Sequence, residues 1–218
     1  MMRVDLSSEA AKPLSVLCLG AHSDDIEIGA GGTILTLLSA SRSVDVTWCV
    51  LSAPGPRRDE ALGAAKAFTS GANSTRVEIA SFTDGHFPFE GAEIKNWFEI
   101  LKKSIMPDVI FTHMRADAHQ DHRLLNQMTW TTFRDHLILE YEIPKWDGDL
   151  GQPNCYVPLS QDVLRRKLDL LHAHFGTQRS KDWFSAETFQ ALARLRGNEC
   201  RALESAAEAF ISRKMVIC

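Results

Sequence analysis

The sequence predicts an α/β fold: a mainly parallel sheet flanked by helices, in a single domain over residues 1–218. Three observations predict it. Short apolar, β-branched runs alternate with helical patterns through the first two-thirds of the chain, the rhythm of βαβ units. Glycine or proline breakers follow the first two strand-like runs. At 218 residues, with 44% hydrophobic and 24% charged residues, the chain has the length and composition of one well-cored globular domain.

The elements follow in order. Residues 14–19 form a buried strand, and 29–40 the helix after it. Residues 44–51 are a second β-rich run, stopped by Ala53-Pro54-Gly55-Pro56. Residues 59–69 are alanine-rich and helical, and 76–82 alternate with period two, as a strand does. Ile94, Trp97, Phe98, Leu101 and Ile105 fall at helical spacing within 91–106, the mark of an amphipathic helix packed on a sheet. Pro107-Asp108 then leads into a fourth strand over 109–112. The last third is less regular. Residues 137–143 read as a strand, 144–154 as a polar loop, 162–174 and 186–208 as helices, and 210–217 as a strand closing the sheet. No repeat, low-complexity tract or interdomain linker interrupts this order.

Charge and cysteine usage narrow the function classes. A formal net charge of −4 and no extended basic run give no electrostatic reason for nucleic-acid binding. The five cysteines, Cys18, Cys49, Cys155, Cys200 and Cys218, form no CxxC pair, and the pattern suits a reducing cytoplasm. The first nine residues lack the apolar core of a signal peptide, and no stretch is long enough to span a membrane. A cytoplasmic protein is the expectation.

Chemistry concentrates at two places. The run Gly20-Ala21-His22-Ser23-Asp24-Asp25-Ile26-Glu27-Ile28-Gly29-Ala30-Gly31-Gly32-Thr33 follows the first strand, and His119-Gln120-Asp121-His122 comes after the fourth. In open α/β sheets ligands bind outside the carboxyl ends of the strands, so one site can hold both clusters. Imidazoles and carboxylates there are costly to desolvate without a partner, and a divalent metal is the obvious one. His22 and Asp25 are close enough to share an ion, and His122 is the best third ligand. Two imidazoles and a carboxylate leave a coordination position open for water. Asp24 can then act as general base. His119 can stabilise the oxyanion or protonate the leaving amine, and Asp121 can orient an imidazole.

Blander readings compete. An Asp-Asp pair before a helix can serve as N-cap and dipole partner, and Gly29, Gly31 and Gly32 can mark a tight turn or close packing. A loose dinucleotide fingerprint through Gly29 and Gly31 supports the alternative of a non-catalytic nucleotide- or sugar-binding module. Against it, Asp24, Asp25 and Glu27 would face a pyrophosphate that wants backbone N–H groups. A metallophosphatase would need more ligands and a second ion than the motifs supply.

The two motifs in this order resemble the LmbE-like, or PIG-L, family of zinc-dependent deacetylases, which carry Ala-His-Pro-Asp-Asp, a Gly-Gly-Thr helix start and a later His-Pro-Asp-His type motif. Arg57-Arg58-Asp59-Glu60 is similar to the family's Arg-x-x-Glu segment, and Phe82-Thr83-Asp84-Gly85 resembles its next loop. The resemblance implies a Rossmann-like fold and hydrolysis of an N-acyl group, often the N-acetyl of an amino sugar. Position by position it implies His22, Asp25 and His122 as metal ligands, Asp24 as base, His119 as electrostatic or acid partner and Asp121 as its motif neighbour. Arg57 becomes a candidate for substrate contact. Zn2+ is the implied cofactor, with Fe2+ admitted by the same donors. Ser23 and Gln120 replace the family's prolines at non-ligand positions. Asp117 stands where some members have a tyrosine, and is expected to orient a histidine or bind an amine-bearing substrate. Glu142 is read either as facing the pocket or as a strand-to-loop salt bridge. Trp146 and Tyr141 are weighed as sugar-stacking rings against ordinary packing. His86, His113, His172 and His174 are read as structural, with His113 the first exception.

Overall fold

Residue alternation along the first strand already defines two buried faces. In β1 (Leu14–Gly20), Val16 and Cys18 join one apolar cluster and Leu17 and Leu19 the other, all of them buried. A strand buried on both faces belongs in the middle of a layered α/β sheet. The computed structural model, which describes residues 3–6, 12–40 and 42–216, places it there. The seven-stranded sheet has the order β3-β2-β1-β4-β5-β7-β6. Its other strands are β2 (Val44–Val50), β3 (Ser74–Ile79), β4 (Val109–His113), β5 (Leu137–Tyr141), β6 (Cys155–Pro158) and β7 (Ala207–Ser212). The first five strands in that order pair in parallel, and β7 runs antiparallel to both β5 and β6.

Helices cover both faces. α1 (Asp25–Leu38), α2 (Arg57–Phe68) and α5 (Gln161–His174) pack together on the Val16/Cys18 side. α3 (Gly91–Ser104) and α4 (Gln120–Thr132) cover the Leu17/Leu19 side with Ile94, Phe98 and Leu125. α6 (Ala186–Cys200) packs on β7 and β6. Neighbours β1 and β4 mark where the strand order reverses, the place at which such sheets bind ligands. His22 follows the end of β1, and His113 is the last residue of β4.

The expected Rossmann-like architecture is present, with four local differences. α1 starts at Asp25, not at residue 29, so the motif's second carboxylate lies in the helix and Asp24 is its N-cap residue. Asp24 is in an αR conformation and its side chain makes no capping bond, which leaves that carboxylate to other partners. α4 and β6 were not anticipated. α6 stops at Cys200 instead of running to 208, because Arg201 adopts a left-handed φ of 55° and turns the chain. The alanine-rich tract beyond it therefore enters β7, three residues ahead of the expected strand. Ile217 of that expected strand, Cys218, and residues 1–2 and 7–11 of the N-terminal segment lie outside the described residues.

The glycines of α1 serve packing. A Cβ on Gly29 would stand 2.2 Å from Cδ2 of Tyr141, and one on Gly32 would stand 2.9 Å from Oε1 of Glu208. Glu208, from β7, accepts the backbone N–H of Gly32 (2.8 Å) and Thr33 (2.6 Å). Lys167 of α5 donates to Glu208 Oε1 and to Ile28 O, both at 2.6 Å. A buried ion pair thus ties α1, α5 and β7 together. Gly29, Gly31 and Gly32 lie inside α1, past its first turn, and not in the strand-to-helix loop where a phosphate-binding glycine run sits.

Candidate metal centre and active site

Three donor atoms converge at the carboxyl end of β1. His22 Nδ1 lies 3.2 Å from His122 Nε2, and Asp25 Oδ2 lies 3.4 Å from the first and 3.6 Å from the second. All three residues are buried. α1 brings Asp25 back towards His22, whose own backbone N–H donates to Asp25 Oδ2 at 2.6 Å. His122 enters from the first turn of α4.

Surrounding carboxylates fix which nitrogen of each ring faces inward. His122 Nδ1 is 2.9 Å from Asp117 Oδ2, which places the ring proton on Nδ1 and leaves the Nε2 lone pair towards His22 and Asp25. His22 Nε2 lies 3.1 Å from Asp84 Oδ1 and 3.3 Å from Asp121 Oδ2, so its proton belongs there and the Nδ1 lone pair points inward. With His22 neutral, two nitrogen lone pairs and a carboxylate oxygen face one another, a repulsion that a cation, or a second proton on His22, relieves. Ligands of a tetrahedral ion at about 2.0–2.1 Å are roughly 3.3–3.4 Å apart, so the spacing and chemistry of this set fit a divalent metal. The donor groups that can hold an ion also include Asp25 with His113 and His122, and His22 with His119 and either His122 or the Asp84–Asp121 pair.

Without an ion the two rings differ in charge. Burial opposes charge on His22, but hydrogen bonds to Asp121, Asp25 and Asp84 outweigh it and raise its pKa well above the ordinary value. His122 is pushed down to about 4, first by burial and then by the neighbouring His113, and is neutral near pH 7.

Asp24 lies beside this centre and is 4% exposed. Arg57 Nη2 donates to its Oδ1 at 3.1 Å, while Nε reaches Ser23 Oγ (2.9 Å) and Nη1 reaches Asp84 Oδ2 (3.1 Å). The other Asp24 oxygen carries no hydrogen bond among the described residues. Burial, and then the neighbouring Asp25, raise the pKa of Asp24. His119 is half-buried at the N-cap of α4, where its Nδ1 accepts the backbone N–H of Asp121 at 3.2 Å. That bond places the proton of the neutral ring on Nε2. Burial, then the adjacent His22, lowers its pKa, so the ring is neutral near pH 7. It lies 4.9 Å from the His22 ring and 4.6 Å from the His122 ring, centre to centre.

The structure thus brings together His22, Asp24, Asp25, His119, Asp121 and His122. Asp121 serves His22 rather than its motif neighbour His119, and its carboxylate also accepts the N–H groups of Gly85 (2.7 Å) and Phe87 (3.1 Å). Of the two roles expected for Asp117, the geometry is that of orienting a histidine. The residue is 1% exposed, and its other oxygen takes the His119 N–H (2.8 Å) and Lys145 Nζ (3.1 Å). Glu142 makes a salt bridge, but to Nε and Nη2 of Arg196 in α6, both at 2.7 Å, and not to a loop. Tyr141 is fully buried with its hydroxyl on Leu19 O, which excludes it from stacking on a ligand; Trp146 is 70% exposed. Sequence reasoning assigned no role to Asp84 or Lys145 and read His113 as structural. Only the Phe82–Gly85 segment carried a signal, through its resemblance to a family loop.

Comparison with known proteins finds a matching family and relatives. The family model described as PIG-L, GlcNAc-PI de-N-acetylase, matches residues 17–133. A relative from Escherichia coli K12, named as the uncharacterized deacetylase YaiS, is 28% identical over 182 residues, covering 78% of this chain and 95% of its own. Among solved structures, the N,N'-diacetylchitobiose deacetylase of Pyrococcus horikoshii shares the fold with a TM-score of 0.69 and 20% identity, over 91% of this chain and 83% of that one. So does GalB of Pseudomonas putida KT2440, a 4-carboxy-2-hydroxymuconate hydratase, with a TM-score of 0.70 and 16% identity over 94% and 98% of the two chains. A shared fold therefore does not fix the reaction. The family match spans β1 to α4 and contains every motif residue of the site: the chain belongs to the PIG-L, or GlcNAc-PI de-N-acetylase, family.

Proposed function

We propose that the chain is a metal-dependent deacetylase that hydrolyses the N-acetyl group of a small molecule containing an amino sugar. The observation that carries the reading is the convergence of His22 Nδ1, Asp25 Oδ2 and His122 Nε2 within 3.2–3.6 Å, the inward nitrogen of each imidazole being set by carboxylates on its outer nitrogen. These residues hold the ion, zinc by first preference of the donors, with iron(II) also accepted. Such an ion, when bound, polarises an acyl carbonyl and brings the pKa of a water near 7.

The chain's own groups divide the proton work. Asp24 takes the proton of the attacking water on the oxygen that Arg57 does not engage. Its raised pKa brings it closer to the operating pH, where a general base works best. The water oxygen adds to the amide carbon. His119, neutral with its proton on Nε2, donates to the oxygen that becomes negative. When the C–N bond breaks, the proton held by Asp24 passes to the leaving amine, giving acetate and a free amino group. Asp84 and Asp121 hold His22, and Asp117 holds His122. Arg57 clamps Asp24 through one edge and, with its side chain partly exposed, is placed to meet a sugar hydroxyl.

The alternative of a non-catalytic binding module has no observation in its favour, since the glycines it relies on face Tyr141, Phe68 and Glu208. Acetate release from a panel of N-acetylated amino sugars tests the proposal, with the protein loaded with zinc and then stripped by a chelator. Release that depends on metal is expected. No release from any member, or release that survives stripping, contradicts it.

A further inference from the structure

His113 is fully buried at the end of β4, where a strand of this fold meets the site. Its ring lies face to face with that of His122, 3.7 Å between centres and 22° between planes, and Tyr141 packs beside it at 4.8 Å. Asn126 Nδ2 fixes its backbone carbonyl at 2.7 Å. The two neighbouring rings pack the side chain in place. So placed, Nε2 is 3.1 Å from Asp25 Oδ2 and also 3.1 Å from the backbone nitrogen of Ala21, while Nδ1 is buried without a partner.

One nitrogen cannot both donate to the carboxylate and accept the amide, so the two tautomers must be weighed. With the proton on Nδ1, that N–H is a buried donor with no acceptor, and the bare Nε2 faces the lone pairs of Asp25 Oδ2. With the proton on Nε2, the ring makes a charge-assisted hydrogen bond to Asp25, and Nδ1 is left as an unfilled acceptor. The Ala21 N–H is then the group that loses its partner. Each arrangement leaves one buried donor unpaired, at about 1–3 kcal/mol. Only the first adds lone-pair repulsion at 3.1 Å, and only the second gains the bond to a carboxylate.

We propose that His113 is a positioning residue for Asp25: its Nε2–H donates to Asp25 Oδ2 and, together with the His22 backbone N–H at 2.6 Å, holds that carboxylate in its ligating orientation. This rests on the ligand assignment made above. It also separates His113 from the ligands themselves, because a nitrogen that carries a proton towards Asp25 has no electron pair for an ion. The three imidazoles then have distinct work: His22 and His122 bind, and His113 aims the carboxylate between them.

Competition against a chromophoric chelator gives the zinc affinity of the wild type, His113→Gln, His113→Phe and His113→Leu. Glutamine can place an amide N–H where Nε2 stands, and the two apolar variants cannot. Binding weaker by about 10–100-fold is expected for Phe and Leu, with Gln staying within about threefold of the wild type. Affinities are measured below each variant's metal-free melting transition, so that loss of fold is not read as loss of metal. Equal weakening in all three variants overturns the proposal in favour of His113 as a ligand. Unchanged affinity in all three overturns it in favour of packing alone. Wild-type protein that binds no zinc removes the ligand assignment itself, a different result from either.

Discussion

Asp117 Oδ2 lies 2.9 Å from Nδ1 of His122, and this contact decides which nitrogen of His122 is turned towards Asp25. A cation also shares the carboxylate, since Lys145 Nζ sits 3.1 Å from Oδ1 and 2.6 Å from Asp149. The loop after β5 is thereby fastened to the back of the candidate metal centre. Burial is the largest influence on Asp117 and opposes its charge, but the hydrogen bond from His122 and nearby cations win, and its pKa lies well below the ordinary value.

Replacing Asp117 by Asn keeps its shape but removes the charge that fixes the His122 tautomer. Zinc affinity is expected to fall by about 10–100-fold, the usual cost of losing a carboxylate behind a histidine ligand. Chelator competition measures it. An affinity equal to wild type contradicts the orienting role.

The pH dependence of metal binding follows from His22. Its pKa is raised in the metal-free protein, so near neutral pH the ring holds a proton that an ion must displace. Apparent affinity should rise by about tenfold per pH unit between 6 and 7, with about one proton released, as calorimetry in buffers of different ionisation enthalpy would measure. The effect on the metal-free fold has the opposite sign. A raised folded pKa gives stability that is fully present below the unfolded value, roughly 6.5, and is lost as pH rises through the folded one.

Gly29→Ala probes the close approach of α1 to β5. The added methyl would meet the Tyr141 ring, which its hydroxyl bond to Leu19 O holds in place at 2.7 Å. Overpacking of this kind costs about 1–3 kcal/mol. Thermal melting should show a Tm lower by roughly 2–12 °C for a domain of this size. A melting temperature at or above wild type contradicts the packing role.

Much of this was legible in the sequence, for reasons that particular residues make plain. The parallel core was readable because β1, β2 and β4 are short runs rich in apolar and β-branched residues, and the convergence of His22, Asp25 and His122 because they lie in two short motifs at strand ends. α4 was not readable: its N-cap is a histidine, and its last turn is Thr129-Trp130-Thr131-Thr132, residues that favour strands. β6 is four residues long and owes its existence to pairing with β7. Asp84 and Lys145 reach the site from loops that only the folded sheet brings near His22 and Asp117. His113 looked like one more strand-end histidine, because its contact with Asp25 spans 88 positions.

In the proposed mechanism two adjacent carboxylates do different jobs, Asp25 holding the ion and Asp24 moving the proton. Asp24→Asn separates them most directly when zinc content and acetate release are measured on the same sample. The account predicts one zinc per chain, as in wild type, with the rate of release lower by about 10²–10⁴-fold. A variant that keeps both its zinc and its full rate would contradict it.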